Sequence, residues 1–339
     1  MKRWTIGFVV AMVAVAAPWA AALAATPVAS PAAATANPGQ GLEISPPVLE
    51  LNADPGQTVT AVIRVRNVSS GTLVATGKAD DFGASGEDGK PKLLLDETSA
   101  TRYSLKFWVA SVPTLILATQ ELKTATVQIV VPKDAEPGGH YGVIRFTGTP
   151  PNLQGTGVSL SASVGTLVLL RVSGAITDSV KVASFTTNQA AVPADASHKA
   201  QPAGLTSSFF EHGPINFVLR IQNDGTVHEQ VKGNIVVKNT FGKTVATVTV
   251  NPDGGNVLPG TIRRFEQSMA NKRMFGYYKA TFTGSYLDDN HKLASTVSFW
   301  VIPWKLILLI ILGIAILIWL LRLAFRRYNA FIIAQARKR

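Results

Sequence analysis

Through the middle of the chain, apolar and polar residues alternate with a period of two. Over 58–66, Val59, Ala61, Ile63 and Val65 share one face, and Thr60, Arg64 and Arg66 lie on the other. Over 215–223, Ile215, Phe217, Leu219 and Ile221 alternate with Asn216, Arg220 and Gln222. Strict alternation marks a half-buried strand, because successive strand side chains point to opposite faces. The segments 122–131, 158–172, 234–238, 244–250, 279–282 and 294–300 read as strands too. Asp54-Pro55-Gly56, Ser70-Gly71, Pro137-Gly138-Gly139, Asp224-Gly225 and Asp253-Gly254-Gly255 punctuate them as turns. Many short strands separated in this way predict an all-β chain of antiparallel sandwiches. No amphipathic helical period precedes residue 303.

Two short echoes predict that the sandwich is duplicated. Arg64-Val65-Arg66-Asn67 leads to Gly71-Thr72, and Arg220-Ile221-Gln222-Asn223 leads to Gly225-Thr226. Tyr141 with Phe146-Thr147-Gly148 matches Tyr277 with Phe282-Thr283-Gly284, in the same order. Unequal offsets place the length difference in loops. The expected domains are 42–172 and 173–302, the second with a linker or long loop near 186–208.

At both ends the pattern changes. Lys2 and Arg3, an apolar run over 4–17 and Ala22-Leu23-Ala24 form the three zones of a secretory signal peptide over 1–25. The Ala/Pro/Thr/Gly-rich stretch 26–41 reads as a flexible spacer. Residues 306–321 carry no polar side chain, which predicts a transmembrane helix over 303–322. Trp304 and Trp319 suit the two interfaces, and Lys305 and Arg322 suit the headgroups. The tail over 323–339 is basic, with Arg326 and Arg327 near the span. The positive-inside rule then places the C-terminus in the cytoplasm and the sandwiches outside the cell membrane, in a single-pass topology.

Charge and composition exclude several functions. The chain of 339 residues has a net charge of +11, but the last 18 residues hold six cations and no acid. The cationic excess thus flanks the membrane segments instead of forming one basic face, which argues against nucleic acid as a partner. With no cysteine, disulfides, thiol catalysis and Cys-ligated metals are ruled out. His140, His198, His212, His228 and His291 lack metal-ligand spacing and read as isolated surface or strand-edge residues. No nucleophile elbow, P-loop or dinucleotide fingerprint is present. The chain is therefore expected not to be an enzyme and to need no cofactor or metal.

Three local features remain. Asp80 and Asp81, with Glu87-Asp88-Gly89, read as acids of a loop, solvated or gathering oxygen ligands for a cation. Phe107 and Trp108 read as neighbours on a strand, one facing the core and the other a surface anchor for a glycan or protein. Leu258-Pro259-Gly260-Thr261 and Asn67-Val68-Ser69 mimic a sortase signal and a glycosylation sequon, and both read as turns.

The run Ile44-Ser45-Pro46-Pro47-Val48, then Asp54-Pro55-Gly56-Gln57, then a strand ending in Arg66-Asn67-Val68-Ser69, resembles bacterial Ig-like surface domains. A second block agrees: Val131-Pro132-Lys133-Asp134-Ala135, then Pro137-Gly138-Gly139-His140-Tyr141-Gly142. Together they are similar to the WxL-interacting surface proteins with their peptidoglycan-binding domain, and pilus-chaperone-like and NEW3-type domains share such motifs. Asp80-Asp81-Phe82-Gly83 departs from the Asn/Thr-rich segment of that pattern. The resemblance implies a membrane-anchored envelope protein that binds cell-wall glycan or a surface protein in adhesion. The other reading is a structural accessory subunit of an envelope or secretion assembly.

Overall fold

The computed structural model describes residues 41–95, 98–151, 161–191, 203–270, 274–287 and 291–336. The signal peptide, nearly all of the spacer, residues 192–202 with His198, and Arg337–Arg339 lie outside them.

The first sandwich is built from β1 (Leu42–Ser45), β2 (Val48–Ala53), β3 (Thr58–Asn67), β4 (Leu73–Ser85), β5 (Lys90–Leu94), β6 (Leu115–Leu117), β7 (Leu122–Val130), β8 (Gly138–Thr149) and β9 (Ala162–Val172). One sheet has the order β1-β3-β7, and the other β2-β9-β8-β4-β5 with β6 beside β4. The period of two explains the packing. Ala61, Ile63 and Val65 of β3 and Ala125, Val127 and Ile129 of β7 face inward. They meet Ala75, Ile144, Phe146, Val168 and Leu170 from the larger sheet. Full burial of a side chain such as Phe146 contributes about 1.5–3 kcal/mol.

The second sandwich contains β10 (Val180–Gln189), β11 (Phe209–Phe210), β12 (Ile215–Asn223), β13 (Glu229–Gln230), β14 (Lys232–Asn239), β15 (Thr244–Val250), β16 (Asn256–Val257), β17 (Ile262–Met269), β18 (Gly276–Tyr286) and β19 (His291–Val301). Its sheets repeat the first: β10-β12-β17 against β11-β19-β18-β14-β15. In both sandwiches the strand at one edge of the larger sheet pairs in parallel with the sandwich's last strand, β2 with β9 and β11 with β19.

The duplication extends to single hydrogen bonds. Asn67 and Asn223 are both fully buried. Asn67 Oδ1 accepts from Ser69 N at 2.9 Å, and Asn223 Oδ1 accepts from Gly225 N at 2.8 Å. Asn67 Nδ2 donates to the carbonyls of Gly71 and Leu117 at 2.7 and 3.0 Å, and Asn223 Nδ2 to those of Val227 and Val257 at 2.7 and 2.8 Å. Each Asn thus ties the turn after its own strand to the turn leading into the next strand of its sheet. That second turn contains a left-handed residue in both copies, Gln120 and Gly260. The sequon and the Leu258–Thr261 stretch are therefore turns. Phe146 and Phe282 of the second echo are likewise both buried.

Beyond β19 the chain enters α1 (Trp304–Ala336), 33 residues long and so about 50 Å at 1.5 Å per residue. Pro303 precedes it, where a missing N–H costs no helical bond, and its carbonyl accepts from Ile307 N at 3.1 Å. Among the described residues this is the one helix long and apolar enough to cross a bilayer. It continues well past Leu321, where the apolar run ends.

Four expectations are corrected. Lys106–Trp108 form one turn of 3-10 helix and not a strand, so Phe107 and Trp108 do not alternate across a sheet. Asp80 and Asp81 lie within β4 and are 2% and 3% exposed, so they are not loop acids. Thr186–Gln189 belong to β10, paired with β12, and not to a loop. His140 is buried rather than a surface or strand-edge residue. At Asp80 and Asp81 alternation gives no warning, because β4 is buried on both faces over Asp80–Phe82.

Candidate functional site

The two sandwiches meet along a polar joint and a small apolar one. The β4–β5 hairpin carries Glu87-Asp88 between Gly86 and Gly89, both at positive φ, a conformation glycine adopts without steric penalty. The Glu87 carboxylate receives a two-pronged contact from Arg220 of β12, with Nε donating at 2.7 Å. Asp88 accepts from Arg264 of β17 at 3.0 Å, and Arg264 N donates to the Glu87 carbonyl at 2.7 Å. The hydrogen bond from Arg220 holds the Glu87 carboxyl below its usual pKa. The fork fixes direction more than it adds energy, because the pair is about a third exposed.

Nearby, Gly139 N donates to the Thr226 carbonyl at 2.8 Å. A Cβ on Gly138 would strike that same carbonyl, so only glycine permits the approach. Phe82, Tyr141 and Leu169 form a separate apolar cluster with Tyr103, Leu167 and, from the second sandwich, Leu258. Burial raises the Tyr141 hydroxyl pKa, and that hydroxyl lies 3.4 Å from His228 Nδ1. Burial pushes His228 down to about 4. Glu229 is pushed up to about 7, first by burial and then by the Asp178 carboxyl beside it. Arg171 lies 3.6 Å from Asp178.

Between these contacts opens a cleft of about 440 Å³. Val48 of β2, Phe82 of β4, and Leu167 and Leu169 of β9 line it from one sandwich, and Leu258 and Arg263 from the other. Arg263 Nη1 donates to the Asn256 carbonyl at 2.7 Å, and the guanidinium lies 5.4 Å from the Phe265 ring centre. Side chains at Gly89 and Gly255 would collide with that guanidinium. Among the described residues Arg263 pairs with no carboxylate, and burial lowers its pKa. The cleft thus combines apolar walls with a cation in no direct ion pair among the described residues, and Glu50 and Asp253 also line it. Lys90 lies at its rim.

No family model matches the chain, and no curated protein matches it. Among solved structures, the class 5 fimbriae chaperone CfaA is 13% identical, with a TM-score of 0.39, covering 76% of this chain and 98% of its own. The E. coli chaperone DraB is 12% identical at a TM-score of 0.35, with 78% and 98% covered. The Salmonella enterica SafA pilin–SafB chaperone complex gives 10% and 0.36, with 76% and 97% covered. At this level of similarity the fold stands on the strand pairing of the chain itself.

The residues singled out from sequence do not come together in the cleft. Trp108 packs on the first core, with its ring 4.1 Å from that of His140. His140 sits between the carbonyls of Ser104 and Glu136, and burial lowers its pKa. Asp80 is engaged by Arg145 at 2.9 Å and Lys78 at 3.3 Å. Asp81 accepts from Leu105 N and Lys106 N, both at 2.9 Å, and so holds the 3-10 turn. These carboxylates are committed inside one sandwich. Trp304, Lys305, Trp319, Arg322, Arg326 and Arg327 all lie exposed along α1. Lys305 pairs with Glu211 at 2.8 Å, which ties the base of α1 to the second sandwich. Among the described residues no group of three His, Asp or Glu is placed to hold a metal. Sequence reasoning missed Arg263, Arg220 and Glu229. No local pattern in 262–269 marks Arg263, because its surroundings come from segments distant in sequence.

Proposed function

We propose that this chain is a single-pass envelope protein whose paired sandwiches bind a surface-protein partner at the interdomain cleft. The observation that carries the reading is the Arg263 guanidinium, in no ion pair among the described residues, beside the apolar side chains of Leu167, Leu169 and Leu258 in the cleft between the sandwiches. Such a site suits a partner segment that offers a carboxylate to Arg263 and apolar side chains to Leu167, Leu169 and Leu258. The signal peptide and the cytoplasmic placement of the basic tail belong to the same proposal, by the positive-inside rule. Cell-wall glycan is the ligand implied by the family resemblance. Trp108, a candidate platform for such a ligand, has its ring packed against His140. A photo-crosslinking residue at Val48 or Lys90 of the full chain, in its native envelope, is expected to trap a protein, and Arg263→Glu to abolish the adduct. Equal labelling from the cleft and from Thr60 of the first sandwich would sink the reading, and retention of the chain on purified sacculi would favour glycan.

A further inference from the structure

The end of the second sandwich that leads into α1 is unusually rich in exposed aromatic side chains. Phe209 of β11 lies opposite Trp300 of β19, and Trp300 lies opposite Tyr277 of β18, with ring centres 5.2 Å apart. Phe275 precedes β18 and is 69% exposed. Phe241 is 90% exposed on the β14–β15 turn. That turn is held at the same end, because Asn239 pairs with Tyr278 and Thr240 Oγ1 donates to the Tyr277 carbonyl at 3.1 Å. Trp304 begins the helix three residues after Val301.

Lys238, Lys243, Lys279 and Lys305 stand exposed among these rings. The segments 238–243, 274–279 and 298–305 contain no acid. Glu211, just after β11, is already paired with Lys305. Exposed aromatics interleaved with lysines are the composition of a surface that sits at a headgroup boundary, rings toward the acyl region and cations toward phosphate.

We infer that this end of the second sandwich rests in the outer face of the bilayer that α1 enters, so that the sandwich itself is a membrane-contact surface. The occupant follows from continuity. Only Ile302 and Pro303 separate β19 from α1. Both flanks of that link are hydrogen-bonded, Ile302 N to the Phe210 carbonyl at 2.8 Å and Trp304 N to the Ile302 carbonyl at 2.8 Å. With so short and constrained a link, any bilayer holding α1 lies within reach of the collar. The consequence is that the interdomain cleft is held at a set height and tilt over the membrane. The inference rests on α1 spanning the membrane.

The absence of cysteine makes the test direct. Single cysteines at Thr244, beside the intact Phe241, at Leu312 in α1 and at Thr60 in the first sandwich are labelled with an environment-sensitive dye. The full chain is reconstituted in vesicles of anionic phospholipid carrying a lipid-borne quencher, placed shallow for Thr244 and Thr60 and deep in the acyl chain for Leu312. The dye at Thr244 is expected to lose roughly half or more of its emission, as a group within 5–10 Å of the interface should, while the dye at Thr60 stays bright. Quenching at Thr244 should disappear in the Phe241→Ser/Phe275→Ser background, whose exposed positions leave the melting temperature unchanged. Quenching at Leu312 without quenching at Thr244 would overturn the inference and leave the span intact. No quenching at Leu312 would overturn both.

Discussion

Asn67 and Asn223 are fully buried, and each amide donates to carbonyls of two separate turns. Removing either amide takes buried hydrogen bonds away from these carbonyls, at about 1–3 kcal/mol for a buried group left unsatisfied. Asn67→Ala and Asn223→Ala are each expected to lower stability by that order in urea unfolding of the detergent-solubilised chain, while Asn67→Asp, which keeps the acceptor but loses the donor, should be no better than Ala. The pair Glu229 and His228 gives a second residue-scale outcome. Glu229 titrates near 7 in the fold against 4.5 for the free group, so the folded chain retains a proton that the unfolded chain releases. Its contribution is fully present below about pH 4.5 and is lost as pH rises through about 7. His228, near 4 against 6.5, acts in the opposite direction: its contribution is present above about 6.5 and lost as pH falls through about 4. Asp178, Arg171, Glu50 and Tyr141 are the charged or titratable groups around them. Glu229→Gln should therefore raise the melting temperature at about pH 8 and leave it nearly unchanged at about pH 4. An equal gain at both pH values would place the effect elsewhere.

At the scale of elements, the helix and the β4–β5 hairpin make separate commitments. At about 50 Å, α1 exceeds the roughly 30 Å hydrocarbon core by some 13 residues, so its far end must lie beyond the bilayer or tilt strongly. Leu323, Phe325 and Tyr328 are exposed there beside Arg326 and Arg327. A peptide covering 322–339 is expected to bind anionic vesicles, gain helicity on them and release as salt rises. Failure to bind would point to a protein partner for this segment. The hairpin sets the angle between the sandwiches through Glu87 and Asp88. Glu87→Ala/Asp88→Ala should broaden the distance distribution between spin labels at Thr60 and Thr244 while barely moving the melting temperature, since partly exposed pairs contribute roughly 0–1 kcal/mol. An unchanged distribution would show that the Gly139–Thr226 contact and the Phe82 cluster hold the joint without the hairpin.

On the scale of the whole molecule, a short chain of contacts links cleft, second sandwich and helix, and the collar of aromatics gives that chain a fixed base. Local order already carried much of the architecture. Alternation over 58–66 and 215–223 named both inner faces, since a strand's period is a property of its own backbone, and Ile63, Val65, Phe217 and Leu219 are all fully buried. The paired Asn and Phe-Thr-Gly echoes carried the duplication, because identical turn chemistry recurs wherever the same strand order recurs. The continuous apolar run over 306–321 likewise announced α1 without any tertiary contact. What no local pattern contained was anything that depends on two distant segments meeting. The acids at 80 and 81 looked like a loop because their partners, Arg145 and the amides of Leu105 and Lys106, lie dozens of residues away. Glu87 and Arg220, 133 positions apart, form an ion pair only once the hairpin reaches β12. The cleft, the partial burial of Arg263 and the opposed shifts of His228 and Glu229 arise for the same reason: desolvation and pairing are set by which surfaces are pressed together, and in this chain the packing of one sandwich against the other sets them.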